Sequence, residues 1–194
     1  MPESLKHFIE KYTHLPDHDW ALIHQVFRQQ SFKKNELILE QGNICRFFYF
    51  FDKGLVRFGS NVDGNDVTKM FCVAPYCFTS KVSFRNQTPA TESIQALENC
   101  VVWKITLDEY KKLEQINSWN IFMRKLLNEI QEFMENRLLE SKVYSAEKNY
   151  ENLLTRYPVE LIHKIPLKHL ASFLGVAPQS LSRIRSNMHN SRKS

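Results

Sequence analysis

Apolar positions along this chain change their spacing twice, and each change marks a change of structure. Leu5, Phe8, Ile9 and Tyr12 lie three and four residues apart, as do Trp20, Ile23, Val26 and Phe27, with Pro16-Asp17 between the two sets. That spacing predicts two helices, the second starting at Pro16-Asp17. After Gln30 the apolar residues gather into short runs divided by turn residues. Residues 36–40 end at Gln41-Gly42, 47–51 end at Lys53-Gly54, and 55–58 lead to Asp63-Gly64, a two-residue hairpin signal from which 67–73 return. Residues 92–97 alternate, and 100–105 follow Glu98-Asn99. Many short strands with turn signals predict a β-sandwich or barrel.

From residue 117 to 146 the pattern is helical again, with neither Gly nor Pro. Met123, Leu126, Leu127, Ile130, Phe133, Met134, Arg137, Leu138, Ser141 and Tyr144 recur at heptad-like spacing. A lone helix cannot bury such a stripe. It packs on its own barrel or on a second copy of itself, and it is wide enough for both. A further helix over 146–156 carries Tyr150, Leu153 and Leu154, and Tyr157-Pro158 stops it.

The most specific pattern lies in residues 167–185. Leu167, Leu170, Ala171 and Leu174 form one face of a short helix, Gly175 allows a left-handed end, and Val176 plugs the turn. Pro178 suits the first position of a following helix, whose apolar face is Leu181, Ile184 and Met188. This is the layout of a helix-turn-helix, whose second helix enters the DNA major groove. A helical hairpin buried in a core has the same apolar spacing. Against that reading, the outward positions Gln179, Ser180, Ser182, Arg183 and Ser186 are all polar.

Charge sharpens the contrast. The chain of 194 residues carries a net +5, yet residues 161–194 alone hold six Lys or Arg and no Asp or Glu, and the remainder balances at −1. A localised positive segment is the footprint of a phosphate-backbone binder. No apolar run is long enough to span a bilayer, and the first residues lack the pattern of a signal peptide, so a cytoplasmic protein without a membrane partner is expected. Cys45, Cys72, Cys77 and Cys100 form no close pair and read as small buried hydrophobes. No His occurs between Gln25 and Ile162, which argues against a metal cupin or a haem sensor in the barrel. No nucleophile elbow, phosphate loop or paired-carboxylate arrangement is found, so no enzyme is expected.

A short-stranded barrel, a long helix and a C-terminal helix-turn-helix, in that order, resemble the Crp/Fnr family of transcription regulators. The resemblance rests on Gly42, the stretch 48–54 with Val56-Arg57, Asp63-Gly64, residues 78–97 and residues 165–185. It implies an α+β fold: an N-terminal double-stranded β-helix (jelly-roll) sensor barrel over 1–115 with N-terminal helices, a dimerisation helix over 116–146, and a helix-turn-helix domain over 147–194. It also implies double-stranded DNA as partner, a homodimer through 117–146, and RNA polymerase as a further partner.

Family members that bind cyclic nucleotides carry a phosphate cassette of the form Phe-x-Gly-Glu-Leu, followed about ten residues later by Arg-Ser/Thr-Ala. Here Phe78-Thr-Ser-Lys-Val82 and Thr91-Glu-Ser93 stand in those places. Ser80 replaces the Gly, Lys81 the Glu, Thr91 the Arg and Glu92 the Ser or Thr. Lys offers no acceptor to a ribose hydroxyl, and Thr cannot fork onto a phosphate. Cyclic AMP binding is therefore not expected, and no cofactor is. Two alternatives remain for the cassette. Either Ser80, Lys81, Val82, Arg85, Thr91, Glu92 and Ser93 line a site for another small molecule, beside Phe71, Tyr76 and Phe84, or Phe78, Val82 and Phe84 simply fill the barrel.

By the same resemblance, base contacts fall on Pro178, Gln179 and Arg183. Gln suits adenine and Arg suits guanine. Ser180, Ser182, Arg185 and Lys168 are phosphate candidates, with Lys164 and His169 nearby; for Arg185 a solvated helix-end charge is the competing reading. Only six residues follow Met188, so a full β-hairpin wing is not expected and residues 189–194 read as a disordered basic tail. The competing function is a ligand-binding or protein-interaction module with a vestigial helix-turn-helix.

Overall fold

A computed structural model describes residues 3–191, with side chains as far as Met188. In chain order the elements are α1 (Glu3–Glu10), α2 (Asp17–Val26), β1 (Arg28–Phe32), β2 (Leu37–Leu39), β3 (Phe47–Lys53), β4 (Leu55–Val62), β5 (Asn65–Val73), β6 (Tyr76–Phe78), α3 (Lys81–Asn86), β7 (Ser93–Ala96), β8 (Cys100–Thr106), α4 (Leu107–Leu113), α5 (Asn117–Val143), α6 (Ala146–Arg156), α7 (Val159–Lys164), α8 (Leu167–Leu174) and α9 (Pro178–Ser191). The strands form two four-stranded antiparallel sheets, ordered β1-β8-β3-β6 and β2-β7-β4-β5. Two such sheets are the layers that the jelly-roll expectation requires. Asp63 and Gly64, at φ 51° and 83°, make the expected two-residue hairpin between β4 and β5.

The apolar run in β3 shows how the barrel is built. Phe48, Tyr49, Phe50 and Phe51 are all buried, so the strand is covered on both faces. Alternation divides them. Tyr49 stacks on Phe78 at 5.0 Å and Phe51 meets Phe78 edge-on at 5.6 Å, while Phe58 of the other sheet reaches Phe78 at 5.8 Å. Those rings fill the space between the sheets. Phe48 and Phe50 face the helices instead, against Trp119 at 6.0 Å and Phe8 at 5.7 Å. All four cysteines are buried and unpaired.

The long helix has two different halves. Trp119, Phe122, Met123 and Leu126 are buried against the barrel. Farther on, Met134 and Leu138 are 46% and 59% exposed, so the heptad stripe continues without cover from its own chain. Lys125 Nζ donates to the Tyr12 carbonyl at 2.6 Å, and the Tyr12 hydroxyl donates to Glu129 at 2.7 Å, which ties the first half to the turn after α1. The helix ends at Val143 rather than at 146. Tyr144 turns extended at ψ 148°, and the Ser145 hydroxyl accepts from Lys148 N to start α6.

A second core joins the last four helices to the barrel: Tyr150, Ile162, Ile165, Leu170, Ala171, Leu174 and Leu181 pack with Leu55 and Leu97. The 147–194 segment therefore lies against the sheet and shares its packing. Some elements differ from the sequence expectation: β1, α4 and α7 were not read from the pattern. β6 and α3 occupy the cassette region, and the backbone of α9 continues to Ser191, into the segment read as a disordered tail. The rest of that tail, residues 192–194, lies outside the described residues. No described helix is long and apolar enough to cross a membrane.

Candidate nucleic-acid interface and barrel cassette

The two-helix motif forms where the sequence placed it. Leu170, Ala171 and Leu181 are fully buried, and the small Ala171 lets α8 and α9 approach. Gly175 adopts φ 71°, and Val176 N donates to the Ala171 carbonyl at 3.0 Å, closing the wide turn that a left-handed residue permits. A side chain at Gly175 would meet no neighbouring atom, so the requirement there is backbone conformation and not space. Pro178 opens α9, where its missing N–H leaves no helical bond unmade. Pro178, Gln179, Ser180, Ser182 and Arg183 are all exposed, while Ile184 and Met188 are partly covered.

The positive surface is smaller than the sequence count suggests. Arg185 departs from its expected phosphate-facing place and from a solvated helix end alike. Its guanidinium lies 5.5 Å over the Tyr150 ring, and its Nε and Nη2 are buried without a partner. Lys164 pairs with Glu98 of the barrel at 2.9 Å. His169 is buried. Lys168 and Arg183 are exposed and form no ion pair among the described residues. Arg192 and Lys193 lie outside them.

What holds α8 to the barrel is polar as well as apolar. Ser172 Oγ accepts from Thr68 N at 2.9 Å and donates to the Asp66 carbonyl at 3.3 Å. His169 Nδ1 lies 3.7 Å from Asp66 Oδ2. Burial, and then the charges of Arg57 and Lys168, push the His169 pKa down to about 4 against the opposing pull of Asp66, so the imidazole is neutral near pH 7. Arg57 is only 5% exposed; it donates to Thr68 Oγ1 at 2.7 Å and pairs with Asp66 through Nη2. Gly59 makes room for it, since a Cβ there would come within 2.5 Å of that Nη2. Phe173 packs on Phe71 at 5.3 Å, and Arg137 of α5 lies 4.2 Å over Phe173 and donates to its carbonyl at 2.6 Å. Sequence reading missed this seam. One signal was available: an Arg inside the apolar run 55–58 needs a buried partner.

The cassette residues come together around a carboxylate. Ser80, 3% exposed, donates to Glu92 Oε1; Thr91 Oγ1 donates to Glu92 Oε2 at 3.1 Å; Lys69 Nζ pairs with Oε2 at 3.0 Å. Burial alone raises the Glu92 pKa, but the hydrogen bonds from Ser80 and Lys69 outweigh it and hold the group below its ordinary value. Ser93 Oγ accepts from Gln41 N at 2.9 Å, and Ser60 Oγ donates to the Thr91 carbonyl at 2.6 Å. Lys81, Val82 and Arg85 stand apart from this cluster on the exposed side of α3. Val82 is 68% exposed, so it neither fills the barrel nor joins the cluster. Phe78 and Phe84 are buried, as the packing reading expected. Phe71 and Tyr76 lie elsewhere, against Phe173 and Phe8.

The sequence pattern of the cyclic nucleotide-binding domain matches residues 29–117, from β1 to the first residue of α5. No curated protein matches the chain in sequence. In fold the chain is similar to a CooA mutant from Carboxydothermus hydrogenoformans, with a TM-score of 0.69 at 16% identity over 88% of this chain and 79% of that one. It is similar to FixK2 from Bradyrhizobium japonicum, with a TM-score of 0.69 at 17% identity over 86% of each chain. It is also similar to CLP, a c-di-GMP responsive global regulator from Xanthomonas campestris, with a TM-score of 0.66 at 11% identity over 91% and 93%. Residues 29–117 thus carry the cyclic nucleotide-binding domain pattern, and most of the chain shares its fold with these three proteins.

Proposed function

We propose that this chain is a transcription regulator of the Crp/Fnr type that binds double-stranded DNA as a homodimer and does not respond to cyclic AMP. The observation that carries this reading is the outer face of α9. Gln179, Ser180, Ser182 and Arg183 are exposed side by side on a helix anchored from behind by Leu181. Gln179 reads adenine and Arg183 reads guanine, Pro178 offers an apolar contact, and Ser180, Ser182 and Lys168 hold the phosphate backbone. The exposed Met134 and Leu138 of α5 supply the dimer seam, and two copies match two half-sites. Among the described residues no strand follows α9.

Silence toward cyclic AMP follows from the cassette as a whole: Lys81 gives a ribose hydroxyl no acceptor, Thr91 gives a phosphate no fork, and Glu92 adds to both. The Glu92 carboxylate already takes the donors that an incoming phosphate needs, and its charge repels one. The test is a selection from a random duplex library, followed by titration of the enriched site at several salt concentrations. Specific binding that falls with salt and is unaltered by cyclic AMP supports the reading. Enrichment of no sequence supports the alternative of an interaction module with a vestigial reader.

A further inference from the structure

A cleft of about 960 Å³ opens between the barrel, α5 and the α6–α8 segment. Its size falls within the range of about 300–1,000 Å³ usual for small-molecule sites. Phe58 and Phe78, two of the rings that fill the space between the sheets, close it on the barrel side. Met70 and Phe71 of β5, Met134 of α5, Leu153 of α6 and Phe173 of α8 give it apolar walls.

Arg137 stands in that wall. Its guanidinium offers five N–H donors in a flat fork. One bond goes to the Phe173 carbonyl, and the cation lies over the Phe173 ring. No carboxylate forms an ion pair with it among the described residues, whereas its neighbour Arg156 is paired with Glu140. Burial lowers the Arg137 pKa, yet an arginine stays charged at neutral pH. Lys81 and Arg85 also line the cleft, and they too form no ion pair among the described residues. Lys111, Glu114 and Glu129 line it too, the Glu129 carboxylate taking the Tyr12 and Tyr76 hydroxyls; outside the Arg156–Glu140 pair, four cations face two carboxylates, an excess that favours an apolar molecule with an anionic end.

We infer that this cleft binds a small amphipathic carboxylate, its apolar body between Phe71, Leu153 and Phe173 and its carboxylate on the fork of Arg137. Arg137 also holds α8 through Phe173. A ligand that draws on the guanidinium therefore alters the hold on the reader, a consequence that rests on the DNA-binding reading above. Binding itself does not rest on it.

Calorimetry with dodecanoate, kept below its micelle concentration, tests the site on the full chain. The expected result is saturable binding of one molecule per chain. Dodecylammonium and the Arg137→Gln variant should each bind at least about tenfold more weakly, since a lost charge-assisted pair is worth that much. Leu153→Trp, which fills the cleft and leaves Arg137 in place, should abolish binding without unfolding the chain. Equal binding in Arg137→Gln, or equal binding of dodecylammonium, overturns the inference. So does the absence of dodecanoate binding. Binding that appears only when Leu138→Glu has opened the proposed dimer also overturns it, because the second copy's helix then occupies the cleft. Duplex binding measured without dodecanoate keeps the two readings apart: either can fail while the other stands.

Discussion

The cassette and the reader are built from similar side chains and use them in opposite ways. In the cassette, Ser80, Thr91 and Glu92 turn their polar atoms on one another and on Lys69. On α9, Gln179, Ser180, Ser182 and Arg183 stand exposed on a buried apolar base. A polar group that is hydrogen-bonded within the fold has little left for a ligand, whereas an exposed row of donors and acceptors is available for a base edge or a phosphate. Composition alone does not separate the two. The difference lies in whether a partner sits within about 3 Å, as Lys69 does for Glu92.

Variants on each side of this contrast sharpen it. The largest effect is expected from Leu181→Ala, which empties the fully buried base of α9. It should cost about 2–5 kcal/mol in a denaturant melt and remove duplex binding with it. Glu92→Gln comes next on the opposite side. Loss of the charged acceptor should cost about 1–3 kcal/mol of stability, with duplex binding intact and no calorimetric heat with cyclic AMP. Arg183→Ala should leave stability unchanged and cost about 1–3 kcal/mol at one base step of the selected site. An unaltered preferred sequence in that variant contradicts the assignment of Arg183.

Acid separates the two regions by the pH at which each gives way. The His169 pKa of about 4 lies below its ordinary value near 6.5, so its contribution is complete above pH 6.5 and is lost as pH falls toward 4. The Glu92 pKa is also lowered, but from a carboxylate value, so its contribution is complete above about pH 4.3 and is lost only below it. Between pH 6.5 and 4.5 the α8 seam should therefore loosen while the cassette holds. Amide exchange at pH 5 against pH 7, corrected for intrinsic rates, should show roughly tenfold lower protection in α8 and no change in β7. His169→Gln should flatten the α8 response. The smallest effects distinguish two lysines. Lys168→Ala should reduce the salt slope of duplex binding by about 1, whereas Lys164→Ala, whose amine pairs with Glu98, should leave the slope alone and cost less than about 1 kcal/mol.

Much of the architecture was legible because its signals are local. The period-two runs, the Asp63-Gly64 hairpin and the Gly175-Pro178 spacing each act within a few residues, and each appears where the pattern placed it. The first half of the heptad stripe packs on its own barrel, and the exposed Met134 and Leu138 keep the second half open to a partner. The seam between α8 and β5 was not legible. Ser172 lies more than a hundred positions from Asp66 and Thr68 in sequence and meets them only through the fold. Arg185 teaches the same lesson in reverse. Its charge marked it for phosphate, but its place on α9 carries it over Tyr150. Val82, apolar and expected in the core or the site, sits on the open side of a one-and-a-half-turn helix that the sequence did not announce.

The proposed function is that of a DNA reader behind a barrel whose own carboxylate occupies the ligand's place. Fluorescence anisotropy of the selected duplex against the full chain, with and without millimolar cyclic AMP, tests it most directly. Salt-sensitive, sequence-specific binding with the same affinity in both conditions is expected. Binding that appears or strengthens only with cyclic AMP, or that shows no sequence preference in either condition, would contradict it.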